Sequence, residues 1–183
     1  VRGGGADENL YLLDGNPVYH VNHLLGFFSA FNPDAIKNTR FYKGSFPAEY
    51  GGRLSSVVDV RMNDGNRQEY HGNISVGLLS ARANLEGPIV KDRSSFNVSV
   101  RRTWLDLITG TALAVVNKNS SIKDVFGYHF FDINAKLNHS FSDRSRAYLS
   151  FYMGQDAFRQ GSKEKNGDSE DMFLWRWRNL IGS

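Results

Sequence analysis

After Gly65 the chain alternates apolar and polar residues with period two, the mark of strands whose two faces meet different surroundings. Ile74, Val76 and Leu78 stand against Asn73, Ser75 and Gly77; from Leu79 the apolar set becomes Leu79, Ala81, Ala83 and Leu85. A slip of one position reverses every side chain of a strand, so a hairpin or a bulge is expected near Leu78-Leu79, with the hairpin favoured. Gly87-Pro88 is expected to end the next strand, and Lys91-Asp92-Arg93 to form a short turn. Phe96, Val98, Val100 and Trp104 then oppose Asn97, Ser99, Arg101 and Thr103, with Arg102 interrupting the apolar face. Residues 109–128 read as a long connection. Phe131, Ile133, Ala135, Leu137 and Phe141 oppose Asp132, Asn134, Lys136 and Asn138; a tight turn at 142–145 follows. Ala147, Leu149, Phe151 and Met153 oppose Arg146, Tyr148, Ser150 and Tyr152. Residues 160–171 read as a polar loop. Phe173, Trp175, Trp177 and Ile181 oppose Arg176, Arg178 and an out-of-phase Asn179.

Before Gly65 the pattern is mixed. Leu10 to Leu13 is a short apolar run, and Asp14-Gly15 suits the positive φ of a tight hairpin. Pro17 restricts the returning strand to an edge or a strand start. Leu24, Leu25, Phe27, Phe28 and Phe31 are spaced as one face of a short helix. Asn32 is a fitting N-cap with Pro33 at the first helical position, predicting one or two turns to about Lys37. Thr39 to Tyr42 and Ser55 to Met62 are β-prone, and Asn63-Asp64-Gly65 closes the second as a turn. The sum is an α+β unit over residues 1–65, with strands over 66–183.

Each alternating strand is about ten residues, the length that crosses a bilayer at a tilt. In a soluble sandwich the apolar face meets a second sheet; in a membrane barrel it meets lipid while the polar face meets a wet lumen. Connections alternate short (90–94, 142–145) and long (109–128, 160–171), as in outer-membrane barrels. Trp104, Phe130, Phe131, Phe141 and Phe173 fall where an interfacial aromatic girdle is expected.

Composition changes this picture little. The net charge is +3, from 22 basic and 19 acidic residues among 183, too balanced to argue for nucleic acid. Cysteine is absent, which excludes a disulfide frame and thiolate ligation. A mean hydropathy of −0.43 does not argue against a membrane barrel, which is apolar only at alternate positions. The Gly3-Gly4-Gly5 run lacks the spacing of a phosphate loop. No catalytic set stands out, so an enzyme is not expected, nor a cofactor. His20-x-x-His23 lacks a third metal ligand. The start at Val1 without a signal peptide fits a mature chain or a fragment.

Three motifs in order carry a resemblance: Leu12-Leu13-Asp14-Gly15-Asn16-Pro17-Val18, then Asn32-Pro33-Asp34-Ala35-Ile36, then Lys43-Gly44 with Pro47, Tyr50-Gly51-Gly52 and the valine strand ending in Asp64-Gly65. Residues 1–65 thereby resemble the later part of the plug domain of TonB-dependent outer-membrane receptors. The resemblance implies an α+β plug domain (1–65) followed by the first antiparallel transmembrane strands of a large plugged β-barrel (66–183). A lumen that holds a plug takes about 22 strands, and an open sheet edge in lipid is costly, so a piece of a longer receptor is expected. It also implies a Gram-negative outer-membrane location, substrate import driven by a TonB-type energy-coupling protein acting through a segment before Val1, contact with outer-membrane lipid, and a surface lipoprotein as a further partner. Tyr19, His20, Asn22 and His23 would lie at the plug apex and bind ligand. Glu49, Arg53, Arg61 and Arg101 would make plug–barrel contacts, with Lys136, Arg146, Arg176 and Arg178 also lining the wall. Lys43-Gly44-Ser45-Phe46 departs from the Lys-Asp-Ala-Ser of sugar importers in that family, which argues against a glycan. The rival classes are a soluble or surface-exposed β-domain that binds a protein or glycan, and a receptor-like barrel serving as an assembly component.

Overall fold

The structure, a computed structural model, describes all residues except 1–4, 6–7, 24–25, 45, 51–54, 120–121 and 165–169. Two sheets dominate. The smaller has four strands in the order β2-β1-β6-β5: β1 (Asn9–Leu13), β2 (Asn16–Pro17), β5 (Ile36–Tyr42) and β6 (Ser56–Met62). β1 lies parallel to β6, and the other pairs are antiparallel. A two-stranded ladder of β3 (Asn22–His23) and β4 (Phe28–Ser29) accompanies it. The larger sheet is an antiparallel meander of β7 (His71–Val76), β8 (Ser80–Val90), β9 (Ser94–Thr103), β10 (Ile122–Ser142), β11 (Ser145–Glu164) and β12 (Glu170–Gly182). Helix α1 (Leu105–Val116) joins β9 to β10.

The hairpin between β7 and β8 and the short turns at 91–93 and 143–144 stand where the alternation put them. Other expectations are corrected. Among the described residues, the apolar cluster before Asn32 does not form one helical face: Phe28 lies in β4, Gly26 has φ +105, and β3 and β4 pair on either side of it. Leu24 and Leu25 lie outside the described residues. Asn32 does cap a turn, accepting from the Asp34 N–H at 3.2 Å, but only a 3-10 turn, Pro33–Ala35, because Ile36 already pairs with Met62 on β6. Gly87-Pro88 does not end β8, which continues to Val90 around a register irregularity. Residues 109–128 hold α1 and the start of β10 rather than an unstructured connection. Of the expected 160–171 loop, residues 160–164 and 170–171 are strand and 165–169 lie outside the described residues, so β10 and β11, of 21 and 20 residues, are twice the expected length. A ladder needs only backbone partners, so a ribbon polar on both faces reads as a loop.

The long sheet buries its polar face. Ser95, Asn97, Ser99, Thr103 and Asp132 are fully buried against the N-terminal sheet, whereas Ile74, Leu85, Val98, Val100, Leu137, Leu149 and Phe151 are exposed. The register holds this division from β7 to β11, with Asn84, Ser99, Asn134 and Tyr152 in one inward row and Ala83, Val100, Ile133 and Met153 in one outward row. β12 reverses the expectation. Trp177 pairs with the inward Asp156 and stacks on His20 at 5.6 Å, and Ile181 packs on the core formed by Leu13, Val18, Ala30, Val60, Met62 and Tyr152. Arg176 and Arg178 consequently face outward. Phe130 is also no girdle residue, being fully buried and inward.

Gly65, in the turn between the two sheets, has φ +80, and a Cβ there would stand 2.2 Å from the Phe96 carbonyl oxygen. Gly65→Ala is therefore expected to destabilise by about 1–3 kcal/mol through backbone strain. A thermal midpoint equal to that of the unsubstituted protein would refute this.

Candidate functional site

The described residues bring most of their buried charge to one place, the interface between the N-terminal sheet and the inward face of the long sheet. Its centre is His23 on β3. The imidazole is 1% exposed, with Nδ1 2.6 Å from Asp156 Oδ2 and Nε2 2.8 Å from Asp132 Oδ1. Arg101 Nε donates to Asp132 Oδ2 at 2.7 Å, and its Nη2 also donates to the Ser29 carbonyl at 2.7 Å. The Tyr128 hydroxyl donates to Asp156, and the Tyr152 hydroxyl to Asp132 Oδ1 at 3.3 Å. The Phe130 ring lies parallel to the imidazole at 4.2 Å and carries the Arg101 guanidinium at 5.0 Å. Gly154 leaves room for this arrangement, since a Cβ would meet the Tyr152 hydroxyl at 2.3 Å.

Both nitrogens of His23 face carboxylates, so the ring fits there as an imidazolium. The group of His23, Arg101, Asp132 and Asp156 is then neutral, which is the condition for burying charge at tolerable cost. Burial pulls the His23 pKa down, but hydrogen bonding and attraction from Asp132 and then Asp156 outweigh it and leave the pKa raised above 6.5. A raised pKa favours the docked state below the unfolded value, and the benefit is lost as pH rises through the folded value. Protease or hydrogen-exchange protection of residues 22–23 is thus expected to be full below pH 6.5 and to fall at higher pH. His23→Phe should abolish that dependence; an unaltered pH profile in this variant would sink the assignment.

Two further contacts join the sheets. The Asp14-Gly15 turn of the first motif meets β10: Lys136 Nζ, its side chain 5% exposed, lies 3.2 Å from Asp14 Oδ1, 3.0 Å from Asp64 Oδ1 and 3.2 Å from the Met62 carbonyl. Asp14 sits at φ +48, and its carboxylate also accepts from the Met62 N–H at 3.1 Å. Burial alone would raise the Asp64 carboxyl, but hydrogen bonds from Lys37 and Lys136 outweigh it and hold the group below its usual range. In the second motif, Asn32 Nδ2 donates to Ser99 Oγ at 2.5 Å, and Arg82 Nε pairs with Asp34 Oδ2 at 3.0 Å. Each motif that reads as turn or cap chemistry therefore also carries a polar side chain to the long sheet.

Of the expected contact residues, Arg101 is in this interface, and Arg61 borders it, 3.2 Å from Asp59 in a cleft shared with Lys136, Arg146 and Tyr148. Glu49 is exposed, with no ion pair to the long sheet among the described residues. Arg53 lies outside the described residues. Among the expected ligand residues, Tyr19, His20 and Asn22 have exposed side chains. His23 is corrected: two carboxylates hold it inside the interface, where it is buried. His20 and His23 thus part, since the His20 carbonyl instead accepts from Asn179 Nδ2 at 3.0 Å. The sequence reading missed Asp14, Asp34, Asp64 and Asp156 as interface partners. Acids flanking turns or placed on a polar strand face opposite basic positions were the available signal.

Arg102, outward on β9, is matched by Asp106 in the first turn of α1 at 3.0 Å, with His129 3.6 Å from the same carboxylate. No helix among the described residues is long and apolar enough to cross a membrane, which leaves strands untouched as a means of crossing.

Neither any known family model nor any curated protein matches the chain. Among solved structures, the crystal structure of the siderophore receptor PirA from Acinetobacter baumannii is similar, with a TM-score of 0.55 and 17% identity over 98% of this chain and 33% of that one. The chain thus spans about a third of that receptor's length. At this identity the likeness concerns the fold: a mostly antiparallel sheet with one short helix, resembling a fragment of a barrel receptor.

Proposed function

We propose that residues 1–65 are the later part of a plug and residues 66–183 the first barrel strands of an outer-membrane receptor. The receptor binds its substrate from outside and imports it with energy from a TonB-type periplasmic protein. The observation that carries this reading is the reversed burial of the long sheet: its polar face is sealed by the N-terminal sheet and its apolar face is free. In water such a face would be a large aggregation-prone patch; in a bilayer it is the expected wall.

The chemistry of the interface suits a plug that must move. A paired polar interface holds one geometry, yet its net stabilisation is smaller than its charge suggests, because each ion gives up hydration to enter it. When force draws water in, the same ions are rehydrated, so the contact separates without exposing a large apolar surface. Exposed Tyr19, His20 and Asn22 are the plug-side substrate contacts in this reading. On the wall side, Phe126, Phe158, Phe173 and Trp175 continue the inward face of β10 to β12 beyond the His23 cluster.

The test is the mass of the full-length polypeptide in an outer-membrane fraction, on a gel with and without boiling, followed by substrate uptake with and without the coupling protein. A band several times 20.6 kDa that shifts on heating, with uptake lost without coupling, is the expected result. A detergent-independent species of 20.6 kDa would overturn the reading in favour of a soluble β-domain. A shifting band without uptake would favour an assembly component.

A further inference from the structure

The outward face of the long sheet changes character along its strands. Toward the short turns its rows are apolar: Phe96, Leu137 and Leu149, then Val98, Ala135 and Phe151, then Val100, Ile133, Met153 and Leu180. The next row is Arg102, Phe131, Gln155 and Arg178; beyond it Arg176 stands beside Ala157 and His129, and Arg159 beside Gly127 and Leu174. Arg159, Arg176 and Arg178 thus form a triangle on the β11–β12 ladder, with Arg176 diagonal to Arg159 and two residues from Arg178.

All three side chains are exposed. Their outward neighbours on the ladder, Met153, Gln155, Ala157 and Gly161 on β11 and Met172, Leu174 and Leu180 on β12, include no acid. Arg178 donates through Nε and Nη2 to Gln155 Oε1 at 3.1 and 2.7 Å, a neutral partner that orients the guanidinium without neutralising it. Arg159 borders the cleft under α1, where Asp106 is already engaged by Arg102 and His129 and Asp124 is exposed.

A guanidinium is a planar fork suited to phosphate oxygens, and this cluster begins one row past an apolar band. Resting on the barrel reading above, we infer that Arg159, Arg176 and Arg178 form a binding site for the phosphate groups of membrane lipid, whose acyl chains cover the adjoining apolar rows. The apolar band selects a lipid over a soluble anion, because phosphate and chains are met in the order in which a lipid presents them. Arg102, neutralised by Asp106, lies outside the site.

The test uses the full-length protein in neutral detergent, exchanged against lipid A, against lipid A stripped of its phosphates, and against inorganic phosphate. Retained lipid is counted by native mass spectrometry. Retention of lipid A alone is expected, falling about tenfold or more in the Arg159→Gln/Arg176→Gln/Arg178→Gln variant, since each cation near an anionic surface contributes several-fold. If that variant loses its heat-shifted band, Arg159→Gln/Arg176→Gln, which spares the Arg178–Gln155 pair, is measured instead and is expected to show the same direction. Equal retention by variant and parent, or equal retention of the stripped lipid, would overturn the site. Binding of inorganic phosphate with no preference for lipid A would overturn the lipid assignment. Failure of the barrel reading is seen separately, as the absence of any heat-shifted band in the parent.

Discussion

Asp132→Ala is expected to detach the N-terminal sheet from the long sheet and to lower stability by about 3–5 kcal/mol, the range for removing one member of a buried charged group. Its carboxylate serves Arg101 at 2.7 Å, His23 at 2.8 Å and Tyr152 at 3.3 Å, and it is fully buried. Without it, two cations face Asp156 alone. His23 can shed its proton and limit the loss, but Arg101 cannot, because a guanidinium stays charged at every accessible pH. The readouts are the unfolding midpoint of the full-length protein in detergent and protease cleavage within residues 1–65. Asp132→Asn combined with Arg101→Gln restores neutrality and should lose less than Asp132→Ala alone. A single variant within about 0.5 kcal/mol of the parent, the range of ordinary surface substitutions, would show that the cluster does not hold the sheets together.

The faces of β7 to β11 were legible because two unlike surroundings impose strict alternation: Asn97, Ser99, Asp132, Asn134 and Lys136 can be named as inward from position alone. β12 was not. Both its faces carry bulky residues, aromatics on one and arginines on the other, and period two separates faces without saying which is outward. Trp177 against His20 and Ile181 in the core decide it, and the first of these contacts crosses more than 150 residues of sequence. The apolar run before Asn32 failed for a related reason. Helical spacing was present, but β3 and β4 are fixed by non-local anchors, His23 by its carboxylates and Phe28 by Phe130 at 5.3 Å, with Gly26 turning the chain between them.

The candidate site was half readable. Arg101 and Lys136 are legible as wall-lining cations, because they share a strand face with Asn97, Ser99 and Asn134. The partners lay beyond local pattern, because Asp14 and Asp64 have sufficient reason to exist as turn residues. His20 and His23 stand in one mixed stretch, and nothing local marks which of them is buried, so His23 could not be told from His20. Asp156 follows Gly154-Gln155, past the point where the alternation of β11 was traced, on a segment that the sequence alone treats as the approach to a loop.

Lys136→Met is expected to cost a similar amount, about 3–5 kcal/mol, through a different failure. The methionine fills much of the space of the lysine stem, so packing against the Tyr148 ring, now 4.6 Å from the ammonium, is largely kept. What is lost is the cation between Asp14 and Asp64. Asp64 retains Lys37 at 2.6 Å and reaches solvent, whereas the Asp14 side chain is fully buried and keeps only the Met62 N–H. The damage should therefore concentrate at the Asp14-Gly15 turn, with protection lost at β1 and β2 while β5 and Lys37 remain ordered. Adding Asp14→Asn removes the stranded charge and keeps a side-chain oxygen for the Met62 N–H, so the double variant is expected to recover more than half of the loss. Hydrogen exchange over residues 9–17, with the thermal midpoint, separates these outcomes. A double variant no better than Lys136→Met would mean that the lysine acts through packing, and that the first motif is held by its turn geometry rather than by the charge it brings to the long sheet.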